Sequence, residues 1–303
     1  MSVHELQPAA VLRELPERQG TQQALLREYD ERGFLFIEQC FTPEEVAHLQ
    51  AELPPLLSRE RPQRVLEKDG RTVRSVYGAH LESPLFSRLC RDQRILETVH
   101  TLLGGDVYIY QLKLNAKMPL AGDVWVWHQD FIFWLKEDGT PAPRLVSATV
   151  YLDEVTEFNG PLLLIPGSHR EGMIEVSSKD YVPTGYEGSP QWISNLTADL
   201  KYTLDRSVIE RMVRQYGIVA PKGPPGSVLF FHPNLFHASG PNLSPFDRML
   251  ALITYNRVDN APAPRPNPRP DFLCGRDFTP LRPLRPFDLI EGLPPLGMGN
   301  PTR

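Results

Sequence analysis

The pattern of apolar and polar positions divides the chain into a helical first third and a largely β remainder. Residues 21–32 carry apolar side chains at helical spacing, and residues 34–37 form a short apolar run typical of a buried strand. Residues 42–45 match a helix-capping box with proline at the first helical position. We expect that helix to continue to about residue 52, where Pro54 and Pro55 close it.

The charged stretch 59–75 predicts a loop or hairpin, and residues 83–103 predict one helix that ends at Gly104. Residues 107–114 alternate and predict a strand. After this point, short strands follow one another between turns rich in glycine and proline. They cover residues 124–130, 147–155, 162–165, 227–231 and 249–256. This succession is typical of a β-sandwich or barrel with helices packed outside it.

Two stretches lie outside the strand pattern. Residues 171–215, called the insertion below, separate two predicted strands, and a connection of this length is often a lid over a site. Its last part, 207–215, has a helical pattern. Residues 261–303, called the arm, contain 11 of the 31 prolines, which predicts an extended segment laid over the domain or a partly disordered one. We expect residues 1–303 to form a single domain with these two additions.

Composition excludes several classes of function. The net charge is -5 without a long basic run, so nucleic acid is not an expected partner, and no apolar run is long enough to span a membrane. The polar N-terminus lacks a signal-peptide pattern, and Cys40, Cys90 and Cys274 are too dispersed for a disulfide or zinc set. We therefore expect a cytoplasmic protein with buried thiols, in which the glycosylation sequons at Asn195 and Asn242 are not used.

A candidate metal site lies in the stretch from Val124 to Asp130. Side chains two residues apart on a strand point to the same face, which would bring His128 and Asp130 together. They supply two of the three ligands of a 2-His-1-carboxylate iron site, and His237 is our candidate for the third. The alternative is a chance His-x-Asp pair on a solvated strand.

Arg248 follows His237 by eleven residues and opens a predicted strand. On that strand it shares one face with Leu250, Leu252 and Thr254. An arginine that points into an apolar barrel needs an anionic partner, because a buried unpaired charge is costly. A dicarboxylate co-substrate, held by the guanidinium fork, would be that partner. The alternative is a surface ion pair.

These motifs together resemble the phytanoyl-CoA dioxygenase family of Fe(II)/2-oxoglutarate-dependent oxygenases. The resemblance extends over nearly the whole chain. It rests on residues 33–35, 42–45, 128–130, 159–169 and 237–248. It implies a double-stranded β-helix (a cupin-like jelly roll), and Fe(II), 2-oxoglutarate and O2 as cofactor and co-substrates. The implied reaction is hydroxylation of an unactivated C–H bond, and a carboxylate at position 130 favours hydroxylation over halogenation.

Within the family, residues 111–115, 127–131 and 134–141 are similar to ectoine hydroxylases and related enzymes of small amino acids. Gln129 departs from the serine usual in ectoine enzymes, so the resemblance favours a cyclic imino acid such as pipecolate or proline. Ectoine is one alternative, and another natural product or a carrier-bound substrate is a second. A fatty acyl-CoA ranks below these because no basic cluster would hold its phosphates. A non-catalytic β-sandwich binding module is the alternative from another class. The expected partner is a small molecule, and the expected state a monomer or homodimer.

The resemblance also implies roles for residues around the metal. Those assigned to 2-oxoglutarate, besides Arg248, are Ser239, Asn115, Lys113 and Trp125. Those assigned to the substrate are Trp134, as a stacking wall, together with Gln111 and Arg144. Ordinary alternatives remain: the strand face with Gln111, Lys113 and Asn115 is a polar outer face, Trp125 is core, and Arg144 pairs with Glu137 or Asp138.

Overall fold

Two antiparallel sheets enclose the centre of the protein in the computed structural model, which describes residues 20–179, 182–285 and 289–294. The strands within these residues are β1 (Phe34–Ile37), β2 (Arg64–Leu66), β3 (Val73–Tyr77), β4 (Val107–Lys117), β5 (Trp125–His128), β6 (Leu145–Tyr151), β7 (Leu162–Leu164), β8 (Val228–Phe231), β9 (His237–Ser239) and β10 (Arg248–Arg257). The large sheet has the order β1-β8-β6-β10-β4-β3-β2, and the small sheet the order β5-β9-β7. This arrangement confirms the predicted jelly roll.

The alternation of β10 explains how the large sheet separates two environments. Its odd-numbered residues from Met249 to Tyr255 belong to a core that the helices cover. Leu250 and Leu252 face the other way and pack with Leu162 and Leu164 of the small sheet. Side chains therefore point alternately to the helices and to the space between the sheets, as strand geometry requires.

Seven α-helices occur among the described residues. They are α1 (Gly20–Arg32), α2 (Pro43–Ala51), α3 (Leu53–Ser58), α4 (Pro84–Leu89), α5 (Gln93–Leu103), α6 (Phe131–Phe133) and α7 (Arg206–Tyr216). The capping box of α2 is present, because the Thr42 hydroxyl accepts from the Glu45 amide and the Glu45 carboxylate accepts from the Thr42 amide. None of the described helices is both long and apolar enough to cross a membrane.

Two helix boundaries differ from the prediction. Pro54 and Pro55 do not close α2; they lie in the first turn of α3, where an N–H group has no helical partner and proline is tolerated. The predicted helix over 83–103 is two helices, because Asp92 caps α5 by accepting a hydrogen bond from the Arg94 amide. The apolar spacing continues across this break, so periodicity alone did not reveal it.

Part of the arm runs along the edge of β4. The Gly275 amide donates to the Tyr110 carbonyl at 2.7 Å, and the Leu281 amide donates to the Val107 carbonyl at 2.9 Å. β3 pairs with the other end of β4, so the arm covers an edge that would otherwise be open. The predicted domain also includes residues 1–19, the predicted insertion residues 180–181, and the predicted arm residues 286–288 and 295–303, all of which lie outside the described residues. The division into one domain, a lid and an arm stays a prediction.

A buried ionic cluster joins the starts of α2 and α5. The Arg94 guanidinium donates to the carboxylates of Glu45 (2.6 Å) and Asp92 (2.7 Å) and lies 4.2 Å from the centroid of the Phe41 ring. The two carboxylates are each only 1% exposed, so they depend on this one cation. The cluster fixes the helical layer that covers the large sheet.

We expect Arg94→Ala to lower the free energy of unfolding by about 3–5 kcal/mol, since it leaves two buried carboxylates without their cation. Urea denaturation measures the effect. Arg27→Ala, at an exposed position of α1, is the matched control and should change stability by less than about 0.5 kcal/mol. An Arg94→Ala protein as stable as the control would contradict the role given to the cluster.

Candidate active site

The pairing of β5 with β9 brings the two predicted histidines together. His128 and His237 are register partners across these strands. Oδ1 of Asp130 lies 3.6 Å from Nε2 of His128 and 3.7 Å from Nε2 of His237. One ligand atom from each of the three side chains lies within 4.8 Å of the other two. The three residues therefore form a compact set that could hold one metal ion.

Asp130 reaches this set by a route that differs from the sequence argument. β5 ends at His128, and Asp130 has helical dihedral angles (φ -71, ψ -36) at the start of α6. Its side chain thus joins His128 because the chain turns into a helix, and not through strand alternation. About a fifth of this side chain is exposed (21%), so the cleft reaches the ligands from this side.

The hydrogen bonds of the histidines fix which nitrogen faces the site. Nδ1 of His128 donates to the Val126 carbonyl at 2.7 Å, and Nδ1 of His237 donates to the Leu235 carbonyl at 2.9 Å. We assign these tautomers from the geometry, since a carbonyl can only accept. Each Nε2 then presents its lone pair to the centre, the usual arrangement of metal-binding histidines.

The electrostatics suit a divalent cation. Burial lowers the pKa of His237 to about 4, so this imidazole is neutral at physiological pH. Burial opposes ionisation of Asp130, but the neighbouring side chains of His237, His128 and Lys113 outweigh it and lower the pKa of Asp130 to about 2. A neutral imidazole and an ionised carboxylate are the forms that bind metal. With His128 they make the donor set of a non-haem iron site.

Arg248 is buried between the sheets without a partner. It is 1% exposed, and none of its three guanidinium nitrogens has a hydrogen-bond acceptor among the described residues. Burial lowers the pKa of this group, because nothing nearby compensates its charge fully. A buried cation in this state requires an anionic ligand.

Other unpartnered polar groups lie on the same face of the large sheet. Asn115 is opposite Leu250, and Thr149 is opposite Leu252, so both share the face of Arg248. The Oδ1 atom of Asn115 and the hydroxyl of Thr149 lack partners within the described part of the chain. Together these groups fit a ligand with several oxygen atoms, such as 2-oxoglutarate.

The cleft in front of the metal set brings together six residues proposed from sequence. They are Gln111, Lys113, Trp125, His128, Asp130 and Trp134. The cleft is completed by Tyr77, Phe133, Asn195, Leu196, Leu200 and Arg269. The face of β4 with Gln111 and Lys113 therefore lines the interior and is not a polar outer face. Trp125 also belongs to a packed aromatic cluster, so it is both wall and core.

Two further residues predicted from the sequence, Arg144 and Ser239, do not line this cleft. Arg144 lies at the surface, where 46% of its side chain is exposed and its guanidinium pairs with Asp259 at 3.2 Å. The assignment of Arg144 to the substrate is therefore corrected. Arg144 forms a surface ion pair, and its partner is Asp259 instead of Glu137 or Asp138. Ser239 is buried on β9 opposite Trp125, two residues after His237.

The sequence argument missed Arg269, which enters the cleft from the arm. Its Nε donates to Oδ1 of Asp138 at 2.8 Å, and Asp138 also accepts a hydrogen bond from the Tyr110 hydroxyl. The Tyr110 ring in turn packs 5.4 Å from that of Trp134. Prolines flank Arg269 and give no sign of burial, so only the tertiary structure could reveal this residue.

Gln129 holds the metal motif to its surroundings. Its amide nitrogen donates to the carbonyls of Gly172 and Asn234, both at 2.7 Å, and its amide oxygen accepts from the Ile174 amide at 2.8 Å. Asn234 precedes the strand of His237. One side chain thus joins the start of the insertion and the approach to β9 to the His128–Asp130 segment.

Comparison with known proteins identifies the family. Residues 29–250 match the family described as phytanoyl-CoA dioxygenase (PhyH). The chain belongs to this family. It is thus an Fe(II)/2-oxoglutarate-dependent dioxygenase, which confirms the enzyme class and cofactors predicted from the sequence.

Individual relatives are similar over most of their length. The chain is 38% identical to an L-proline trans-4-hydroxylase of Streptomyces griseoviridis, over 84% of this chain and 93% of that protein. It is 35% identical to an ectoine dioxygenase of Sphingopyxis alaskensis, over 88% and 87%. The crystal structure of EctD from S. alaskensis with 2-oxoglutarate and 5-hydroxyectoine has a TM-score of 0.73 at 34% identity and covers 91% of each chain.

Replacing His128, Asp130 or His237 by alanine should abolish tight Fe(II) binding, because each change removes one of three protein ligands. Anaerobic calorimetric titration with Fe(II) measures the affinity. His100→Gln, in the last turn of α5, is the control and should bind iron as the wild type does. Tight binding retained by any alanine variant would exclude that residue as a ligand.

Arg248→Ala should weaken 2-oxoglutarate binding by about 2–5 kcal/mol, the cost of removing one member of a buried charge pair. Arg248→Lys keeps the charge but loses the fork, so we expect an intermediate loss. The dissociation constant for 2-oxoglutarate and the Fe(II) affinity, both measured without oxygen, separate the two sites. Unchanged 2-oxoglutarate affinity in Arg248→Ala would refute the assignment.

Proposed function

We propose that this protein hydroxylates a ring carbon of a small, free cyclic imino acid, with L-proline or pipecolate as the preferred substrate. The observation that carries the proposal is the buried Arg248, which has no partner among the described residues and lies on the inner face of the large sheet, opposite the small sheet that carries His128 and His237. Similarity to an L-proline trans-4-hydroxylase supports the substrate class. The small cleft with an aromatic wall supports it as well.

In this proposal, His128, Asp130 and His237 hold Fe(II), and Arg248, Asn115 and Thr149 hold the distal end of 2-oxoglutarate. When bound, iron with 2-oxoglutarate and O2 supplies the oxidant that converts a C–H bond to C–OH. The chain itself contributes geometry. The three side chains would supply the iron's protein ligands, which is the donor set of non-haem iron oxygenases. No acid–base residue is needed for this role.

Lys113 and Trp125 would stabilise the co-substrate from the side. Nζ of Lys113 lies 4.5 Å from the centroid of the Trp125 ring, and burial lowers the pKa of this amine to about 8. The amine therefore remains mostly charged at neutral pH and increases the positive potential next to Asp130. We assign Ser239 to the same group because it is buried on the strand of His237.

The substrate would bind between Trp134 and the arm. A secondary ammonium near an indole face gains about 0.5–2 kcal/mol when it is desolvated. Arg269 replaces Arg144 as our candidate for the substrate carboxylate, because it lines the cleft, whereas Arg144 does not. Gln111 lines the same cleft as Arg269, and its side-chain amide is oriented by donation to the Leu273 carbonyl at 2.8 Å.

Ectoine is the second candidate. It is also a small cyclic zwitterion, and EctD from S. alaskensis covers 91% of this chain at 34% identity. We rank it below the imino acids because the sequence identity to the proline hydroxylase (38%) is higher than the identity to the ectoine dioxygenase (35%). A free substrate also agrees with a single cytoplasmic domain, in which the insertion acts as lid, and with a monomer or homodimer.

The purified protein with Fe(II), 2-oxoglutarate and ascorbate should convert L-proline or pipecolate faster than ectoine. We expect no turnover of phytanoyl-CoA, because the described residues that line the cleft form a small pocket without a long acyl channel. Competition among the four compounds, followed by succinate release and product mass, measures the order. Turnover of the acyl-CoA alone would show that the cleft has been misinterpreted. Ectoine turnover far above that of both imino acids would establish the second candidate.

A further inference from the structure

Asn195, at the end of the short 3-10 helix Gln191–Asn195 in the insertion, carries a buried amide without a partner. It is 6% exposed, and neither Nδ2 nor Oδ1 has a hydrogen-bond partner among the described residues. The residue lines the cleft in front of the metal set. A buried amide that makes no hydrogen bond is costly, so a ligand that satisfies both atoms would be favoured there.

The turn around Asn195 does not use this amide for its own structure. The Ser194 hydroxyl donates to the Gln191 carbonyl at 2.8 Å, and the Thr197 hydroxyl donates to the Asp199 carbonyl at 3.2 Å. The Lys201 amide closes the turn by donating to the Ser194 carbonyl at 3.0 Å. The neighbouring polar side chains are therefore satisfied within the turn, and that of Asn195 is left for the cleft.

Arg74 fixes the position of this turn relative to the metal set. Its Nε donates to the Leu196 carbonyl at 2.9 Å, and its guanidinium pairs with Glu67 at 3.0 Å and lies 3.8 Å from the centroid of the Trp125 ring. Trp125 begins the strand that ends at His128. The Asn195 amide is thus held in place by a buried chain of contacts that reaches β5.

We propose that Asn195 binds the amino and carboxylate groups of the substrate together, and so selects a free α-amino acid. This inference rests on the proposed function. A carboxamide presents an N–H donor beside a C=O acceptor. An α-amino acid presents the complement, a carboxylate acceptor beside an ammonium donor. Two parallel hydrogen bonds result, with Nδ2 donating to the carboxylate and Oδ1 accepting from the ring ammonium.

The charges around the cleft support this orientation. Among the described lining residues, Asp130 is the one carboxylate, and it belongs to the metal set. The substrate ammonium therefore has no free acidic partner there, and Oδ1 of Asn195 supplies a neutral acceptor. Lys113 and Arg269 add positive charge for the carboxylate. A substrate without the amino group would lose the bond to Oδ1, and a blocked carboxylate would weaken the bond from Nδ2, because a neutral carbonyl is a poorer acceptor than a carboxylate.

The test compares Asn195→Leu, which has nearly the same shape, with the wild type and with Thr197→Val as matched control. We expect Asn195→Leu to raise the KM and the dissociation constant for L-proline about tenfold to a hundredfold, the loss typical of hydrogen bonds to charged groups. The kcat and the KM for 2-oxoglutarate should change much less. Tryptophan fluorescence without oxygen measures binding independently of turnover.

Discrimination between L-proline and its methyl ester separates recognition from a purely structural role. The wild type and Thr197→Val should strongly prefer the free acid, and Asn195→Leu should reduce that preference several-fold; Arg269 and Lys113 account for the part that remains. Asn195→Asp is the second variant, for use if Asn195→Leu does not fold. It keeps an acceptor for the ammonium but places a negative charge against the substrate carboxylate. We therefore expect it to lose affinity for L-proline and preference for the free acid as well.

The inference would be overturned if the Asn195 variants kept the KM for L-proline, the dissociation constant and the preference for the free acid within twofold of the wild type. The proposed function would then remain intact. Failure of the wild type to bind or convert any cyclic imino acid would instead remove the proposed function, and this assignment with it.

Discussion

The antiparallel pairing of β5 with β9 is the contact on which the active site depends. It places His128 opposite His237, although more than a hundred residues separate them in the chain. Strands of three or four residues have little stability alone. This pair is held from both sides, by the Gln129 amide and by the Ser168 hydroxyl, which accepts from the Phe236 amide at 2.9 Å. The metal set is therefore positioned by buried hydrogen bonds, most of them to the backbone.

The inner face of the large sheet changes character along its strands. Leu250 and Leu252 pack against the small sheet, whereas Arg248, Asn115 and Thr149 present polar groups that find no partner in the described part of the chain. Such groups lower the stability of the ligand-free protein, because they are buried without hydrogen bonds. Unfavourable contributions of this kind are expected at functional sites. The apolar part holds the sheets together, and the polar part is the one that we propose for the anionic co-substrate.

The substrate side of the cleft is assembled from four distant parts of the chain. β4 contributes Gln111 and Lys113, the segment after β5 contributes Trp134, the insertion contributes Asn195, and the arm contributes Arg269. The pairing of Arg269 with Asp138 connects the arm to the segment of Trp134. The insertion and the arm thus line the cleft, whereas the metal set lies on and next to β5 and β9.

The sequence by itself indicated a sandwich or barrel through strand alternation, and its resemblance to a known family implied the jelly roll and the enzyme class. The His-x-Asp pair and a charged residue on an apolar strand are local patterns, so the sequence also identified many of the residues that gather at the centre. The tertiary structure decided what local patterns do not contain. Asp130 faces the histidines through a helical turn, Arg144 pairs at the surface with Asp259, and Arg269 becomes buried within a proline-rich arm. The physical reason is that burial and ion pairing depend on which distant segments of the chain come into contact. Neither the spacing of residues nor the composition specifies those contacts.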